Sequence, residues 1–272
     1  MEAKSNMTKP KIVKSILKIA IKRSLNFRTH CLISFFSNIT IVIFIYFFWK
    51  VIYTENGSLL IALDFTGAFT FVAIANVLNV VFRTSLVYDN SDALIRGNIA
   101  TDLIKPYNFY FYTIYKTIGY VIPKIIIIGL PSIIIIFLLN GFFIISMGNM
   151  IFFILSAICG LLISINIDYI TSILAFKTES VWGVSILKDT IISVFSGMII
   201  PLAFFPEKIS SILRYTPLVS IYNTPIDLIA NDRNMMYKFT SILIQVLWIV
   251  IISFVNKWVT KIAVKKASIN GG

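Results

Sequence analysis

Asp64, Asn76 and Asp168 are polar residues set inside long apolar runs, and Lys188 and Asp189 form an adjacent charged pair in another. Polar groups in that setting face protein or a water-filled space rather than lipid. Two uses fit Asp64 and Asn76 equally: lining a transport path, or hydrogen-bonding between helices. Asp168 can receive a proton or cation, or pair with Lys177 or a neighbouring helix; Lys188 and Asp189 can be hydrated or paired. Conventional catalytic chemistry is missing. The one histidine, His30, stands at the edge of an apolar run and reads as an interfacial polar group. There is no G-x-x-x-x-G-K-[ST] loop to cradle phosphates, no H-E-x-x-H and no G-x-S-x-G elbow. The two cysteines, Cys31 and Cys159, lie in or beside apolar runs, with no metal-ligand spacing and no expected disulfide. The chain reads as a conduit rather than an enzyme, with no catalytic, cofactor or metal site of its own.

The elements that must hold these residues are membrane helices. The chain is 58% hydrophobic and 13% charged, whereas a soluble domain carries roughly 25% charged residues. Runs near 31–53, 59–82, 118–139, 149–174, 181–205 and 239–256 each approach the length of about 20 residues that crosses a bilayer. The predicted fold is all-α: a polytopic bundle of six transmembrane helices, an N-terminal amphipathic interfacial helix, and a re-entrant outer hairpin between spans five and six. Residues 1–30 form the cytoplasmic elbow segment and 31–272 the permease bundle with its basic tail. The first apolar run is too long for a signal core and lacks a small-residue cleavage site, so no cleavable signal is expected.

The net charge of +12 belongs to the flanks of the spans rather than to a nucleic-acid partner. Eight bases fall in residues 1–30 and four between Lys257 and Lys266, whereas the connections at 54–58 and 140–148 have none. Both termini and the segment 83–116 are therefore expected on the cytoplasmic side. Lys208, Arg214 and Arg233 fit that rule imperfectly. Residues 10–28 place Ile12, Ile16, Ile19 and Ala20 on one helical face and lysines on the other, the pattern of an interfacial helix. Ser156, Gly160 and Ser164 are spaced four apart, a small-residue stripe for close helix packing. Pro123 and Pro131 are expected to kink the third span or set where it begins.

Two stretches stand apart. Val87–Pro106 reads as a compact knuckle of two short helices: Ser91 caps the first, Gly97 breaks it, and Pro106 ends the second. It exposes Leu94, Ile95 and Ile99 among mixed charges, a shape suited to a groove on a soluble partner. The second is Phe176–Pro225. Its apolar run from Val181 to Phe205 is followed by a half-polar segment punctuated by Pro206, Pro217 and Pro225. That segment is too broken to span and too apolar for a free loop. Irregular backbone at membrane depth is tolerated only against protein or water.

The pattern F-x-T-E-x-x-W-G, then F-S-G-x-x-I-P-L-x-F-F-P, then L-R-Y-T-P and P-I-D-L, resembles the membrane subunit of type-2 ABC exporters without a fused ATPase. The resemblance extends over most of the chain. It implies a translocation pathway formed by two such subunits, identical or homologous, with ATP and magnesium bound on separate cytoplasmic P-loop ATPases. It places the elbow helix beside the ATPase contact and assigns the coupling connection to the knuckle, where the family pattern is matched by Leu94-Ile95-Arg96-Gly97 and Asp102-Leu103-Ile104-Lys105-Pro106. Lys105 stands where the family often has Arg, which keeps the charge and loses the planar fork. The expected coupling contact is Asp92, Ile95, Arg96, Gly97, Asp102, Lys105 and Pro106, with Lys177 and Glu179 from the short loop before span five. Gly197, Pro201, Phe204, Phe205, Pro206 and Pro217 form the expected outer gate. The location so implied is a bacterial cytoplasmic membrane, with membrane lipid as a further partner. An ATP-independent secondary carrier, which would need midplane ionisable groups, and a non-transporting immunity or scaffold protein, which would need no knuckle, are the alternatives.

Overall fold

A computed structural model describes residues 9–26, 28–56, 63–95, 108–140, 146–178 and 181–270, and these are helical with short connections. Among the described residues, five stretches are long and apolar enough to cross a membrane: Cys31–Glu55, Phe65–Asp92, Phe109–Asn140, Met147–Leu174 and Met235–Thr260. With this composition, helices are the expected solution, because a backbone in hydrocarbon must satisfy its own hydrogen bonds. The protein is a multi-pass membrane protein of all-α class.

The N-terminal helix α1 (Lys9–Asn26) is amphipathic and lies against α5 (Phe109–Lys124). The approach is close. A Cβ added at Gly119 would stand 2.5 Å from the Ala20 Cβ, so the glycine lets α1 seat on the bundle. Ala20 is buried, while Ile19 remains exposed beside it. Helix α2 (Arg28–Asn56) follows and is mostly exposed on its apolar surface, as a lipid-facing helix is.

Helix α3 (Phe65–Phe82) is the central element, with 67% of its most apolar window buried. Asp64 caps its N-terminus: the carboxylate accepts from Gly67 N at 3.0 Å and from the Thr66 hydroxyl. A brief turn at Arg83 leads into α4 (Leu86–Ile95). Ser91 was expected to cap this helix and does not. The helix begins five residues earlier, Ser91 is fully buried within it, and its hydroxyl donates to Ser172 O at 3.0 Å. The pull of that buried contact outweighs the local capping preference.

Between Pro123 and Pro131 the third span widens into a π segment, Ile125–Gly129, before continuing as α6 (Leu130–Asn140). Pro131 has no N–H to offer and its ring needs room on the preceding turn, which the wider π turn supplies. Helix α7 (Met147–Thr178) is a single 32-residue rod. Apolar residues 181–205 do not form one spanning helix. Helix α8 (Val181–Phe195) has 15 residues, roughly 22 Å at 1.5 Å per residue. It stops at Ser196–Gly197, where Gly197 has φ +81°, a backbone that residues with a Cβ rarely adopt. A 3₁₀ turn (Leu202–Phe204), α9 (Glu207–Leu213) and α10 (Val219–Ala230) follow, and α11 (Met235–Asn270) closes the bundle.

Candidate functional site

The polar residues gather at two places. The first is the end of the bundle where α3 turns into α4. Asp168 of α7 accepts from Lys188 Nζ of α8 at 2.5 Å, and the same ammonium lies 2.7 Å from Asp189. Arg83 extends the chain of charges, 3.9 Å from the other Asp189 oxygen. Asp168 is 5% exposed, and a buried carboxylate persists as an ion only when paired and hydrogen-bonded. The cluster therefore ties α7 to α8, and α8 loosely to the α3–α4 turn. It borders a cavity of about 250 Å3 that also reaches Asn79, Ser164 and Tyr222. The Asn79 amide donates to the Tyr222 hydroxyl at 3.0 Å. This space brings together one residue of the hairpin, Tyr222, with the base-rich end of the bundle.

The second place is the seat of α10. Its residues Ile221, Ile226 and Leu228 are fully buried, and α7 is the helix it packs against most. The small-residue stripe explains how. A Cβ at Gly160 would lie 2.5 Å from Ile221 O, so backbone meets backbone there. Gln245 of α11 pins the joint, donating to Ser156 O at 3.1 Å and to Ser220 O at 2.8 Å. Nearby, Trp248 Nε1 donates to Tyr215 O at 2.8 Å. Trp248 lies 13 residues into α11, roughly 20 Å along it at the usual rise. The turn between α9 and α10 thus lies well along α11 from its start, on the exposed side of the bundle. At the far end of α10, Asp227 accepts from Arg233 at 2.9 and 3.2 Å and from Asn231 at 2.7 Å. The Asp227 hydrogen bond, more than its charge, raises the Arg233 guanidinium further above its ordinary value.

The residues singled out from sequence fall as follows. Asn76 donates to Asn38 Oδ1 at 2.9 Å, and Asn38 donates to Ser132 Oγ at 2.6 Å, a buried relay linking α3, α2 and α6. Asp64 is the α3 cap. Asp168 joins the ion cluster, paired with Lys188 of the neighbouring helix α8; the Lys177 side chain lies outside the described residues. Gly197 and Pro201 bracket the break after α8; Phe204 stacks on Trp49 of α2, with ring centroids 5.8 Å apart. Phe205 and Pro206 lead into α9, and Pro217 lies in the turn before α10. Of the knuckle, Asp92 is exposed near the end of α4 and Ile95 is its last residue; Arg96, Gly97, Asp102, Lys105 and Pro106 lie outside the described residues. Lys177 is in the last turn of α7, and Glu179 lies outside the described residues.

Three residues were missed. Asn166 accepts on Oδ1 from Tyr110 OH at 2.5 Å, Asn256 Nδ2 at 2.9 Å and Ser253 Oγ at 3.3 Å, joining α5, α7 and α11. Gln245 and Tyr222 are the others. Gln245 is a single neutral polar residue in apolar sequence, a signal that could have flagged it; Asn166 and Tyr222 stand among other polar residues and carry no such signal.

Residues 39–271 match the family described as ABC-2 family transporter protein. No curated protein matches the chain.

Proposed function

The chain belongs to the ABC-2 transporter family and is a membrane permease component of an ABC transporter; on that footing we propose that it is one half of an exporter pathway driven by separate cytoplasmic ATPases. The observation that carries this reading is the family match across 39–271 together with a chain that has no phosphate-binding loop of its own. ATP and its magnesium then bind on the partner, and this chain converts the partner's movement into helix displacement.

The pathway forms between two copies, or between this chain and a homologue. Helix α3 fills the middle of the bundle, with Ala68, Phe69, Ala73 and Ala75 buried, which supports a route between subunits rather than through one. The α3–α4 end faces the cytoplasm, in keeping with Arg23, Arg83, Lys116 and Lys124 there, and both termini lie on that side of a bacterial cytoplasmic membrane. The ATPase is met by the end of α4 and its continuation, through Asp92, Ile95, Arg96, Gly97, Asp102, Lys105 and Pro106, with Lys177 and Glu179 beside them. Helix α4 packs on α7 and α8, so a push on it is delivered to the helices that hold the ion cluster and the hairpin. The α9–α10 hairpin then dips from the outer face and forms the outer gate, with Gly197 to Pro217 as its hinge and rim. ATP must favour one conformation through differential binding; the direction proposed, from the resemblance to exporters, is export.

The test is a mild-detergent pull-down of the chain from native membranes with every partner identified. A stoichiometric P-loop ATPase is expected, and its loss in Arg96→Ala and Gly97→Leu variants that still insert. Absence of any ATPase, even with nucleotide trapped in the membranes, overturns the reading.

A further inference from the structure

Two cavities at the α3–α4 end share a wall. The larger, about 860 Å3, lies between α1, the α3–α4 turn and α5. Its lining carries four bases, Arg23, Arg83, Lys116 and Lys124, against one acid, Asp89. Asp89 is taken by Lys116 at 3.0 Å. Lys124 donates to a neutral group, the Arg83 carbonyl, at 2.5 Å, so its charge is not cancelled there. The Arg83 side chain is 72% exposed and, among the described residues, its ion pair is a 3.9 Å contact with Asp189. The Thr84 hydroxyl, on the same wall, is buried with no hydrogen-bond partner.

The smaller cavity, about 270 Å3, is a groove between α1 and α5 lined by Ile12, Ile16, Ile19 and Tyr112. Arg23, Lys116 and Tyr120 line both spaces. A cationic chamber thus runs directly into an apolar groove along an amphipathic helix of the kind that lies at the membrane surface. That is the shape and polarity of an amphiphile with a negative head. Basic pockets between helices hold anionic lipid head groups by this means.

We propose that the chamber and groove together bind one anionic phospholipid. Its phosphate sits among Lys124, Arg83 and Arg23, beside Thr84, and one acyl chain lies along the α1–α5 groove. Among the described residues, four bases stand against one already-paired acid, so no free carboxylate meets a choline or ethanolamine ammonium and a zwitterionic lipid gains no equivalent contact. A free phosphate gains the charges and not the groove. The lipid bridges α1 to the α3–α4 turn.

The experiment is native mass spectrometry of the purified full chain released from detergent, after equilibration with phosphatidylglycerol, phosphatidylcholine or inorganic phosphate. One phosphatidylglycerol should be retained with at least about tenfold preference over phosphatidylcholine, given roughly a factor of several per basic group near a headgroup. Arg23→Gln/Arg83→Gln/Lys124→Gln should abolish the preference, and Lys208→Gln/Arg214→Gln, far along the chain in the hairpin, should leave it intact. Ile19→Trp, which fills the groove without changing charge, should reduce retention of long-chain lipid. Equal retention of the two lipids by the unaltered chain overturns the proposal without recourse to any variant. So does retention of inorganic phosphate as strong as that of phosphatidylglycerol, or a preference that survives the triple substitution.

Discussion

Removing the Lys188 ammonium should cost far more than removing the Asp168 carboxylate it pairs with. The two lie 2.5 Å apart, with side-chain exposures of 15% and 8%. In Lys188→Met, Asp168 loses the cation that, among the described residues, pairs with it, while remaining buried; Arg83 reaches Asp189. Breaking a buried pair in this way costs about 3–5 kcal/mol. In Asp168→Asn the ammonium keeps Asp189 at 2.7 Å, a carboxylate that is 40% exposed. The loss is then that of one charge-assisted hydrogen bond, about 1.5–3 kcal/mol. Asp168→Asn/Lys188→Met leaves no buried charge and should return to within about 1 kcal/mol of the unaltered chain, since neutral replacement of a buried pair is often nearly neutral. The interaction energy from the cycle should then exceed about 2 kcal/mol. The assay is reversible unfolding of the purified chain in mixed micelles, with free energies taken from the linear dependence on denaturant. Equal costs for the two single variants would show that Asp189 does not back up Lys188. A double variant whose cost is the sum of the singles would refute the pairing itself.

Three further outcomes follow from the packing. Gly160→Leu drives a side chain into Ile221 O, 2.5 Å from where its Cβ would stand; overpacking of about 1–3 kcal/mol should appear in the same unfolding assay, and α10 should become accessible to a thiol reagent at an introduced Ile226→Cys. Asn166→Leu strips three donors of their common acceptor and should cost about 2 kcal/mol, at roughly 0.6 kcal/mol per interhelical bond in a membrane bundle with a larger share for the short one. Gly197→Ala forces a Cβ onto a φ of +81° and should cost about 1–2 kcal/mol, whereas Gly148→Ala, which meets only Ser146 Oγ at 3.7 Å, should change stability by less than about 0.5 kcal/mol.

Much of the architecture was legible because lipid imposes it. Long apolar runs must be helices, and the starts and ends of α2 and α7, with the end of α6, fall close to where hydropathy changes. The break after Phe195 was not legible in that way. Residues 181–205 are apolar throughout, and hydropathy carries no record of backbone dihedrals; only Gly197 and Pro201 marked the spot, and they specify a weak point rather than a stop. The Ser91 cap failed for a different reason. A local rule placed it at a helix start, but a partner 81 positions away, Ser172 O, buried it mid-helix. Asp168 was recognisable as a residue needing a partner, and Lys188 as an odd cation in an apolar helix, yet nothing in linear spacing joins them. Asn166 and Gln245 were not joined to their partners for the same reason: those partners stand from 25 to 90 residues away.

The distribution of these ties sets what any displacement must break. At the end carrying Asp64 and Asn140, Asn140 donates to Thr70 Oγ1 at 2.7 Å and to Thr66 O at 3.1 Å, and an ion pair there, Asp227 with Arg233 at 2.9 Å, joins α10 only to the connection that follows it. Across the middle the ties are neutral and buried. At the α3–α4 end they are ionic and border a cavity, where water can take over a charge that a partner gives up. Moving α10 away from α7 would forfeit the Gln245 bonds and the backbone contact at Gly160 together, with no water to replace them. Separating α8 from α7 at Lys188 opens onto polar space, and Gly197 lets the chain bend just above it. The cheaper rearrangement is therefore a shift of α8 relative to a block of α7, α10 and α11, pivoting at Gly197, with the ion cluster as the contact that is exchanged.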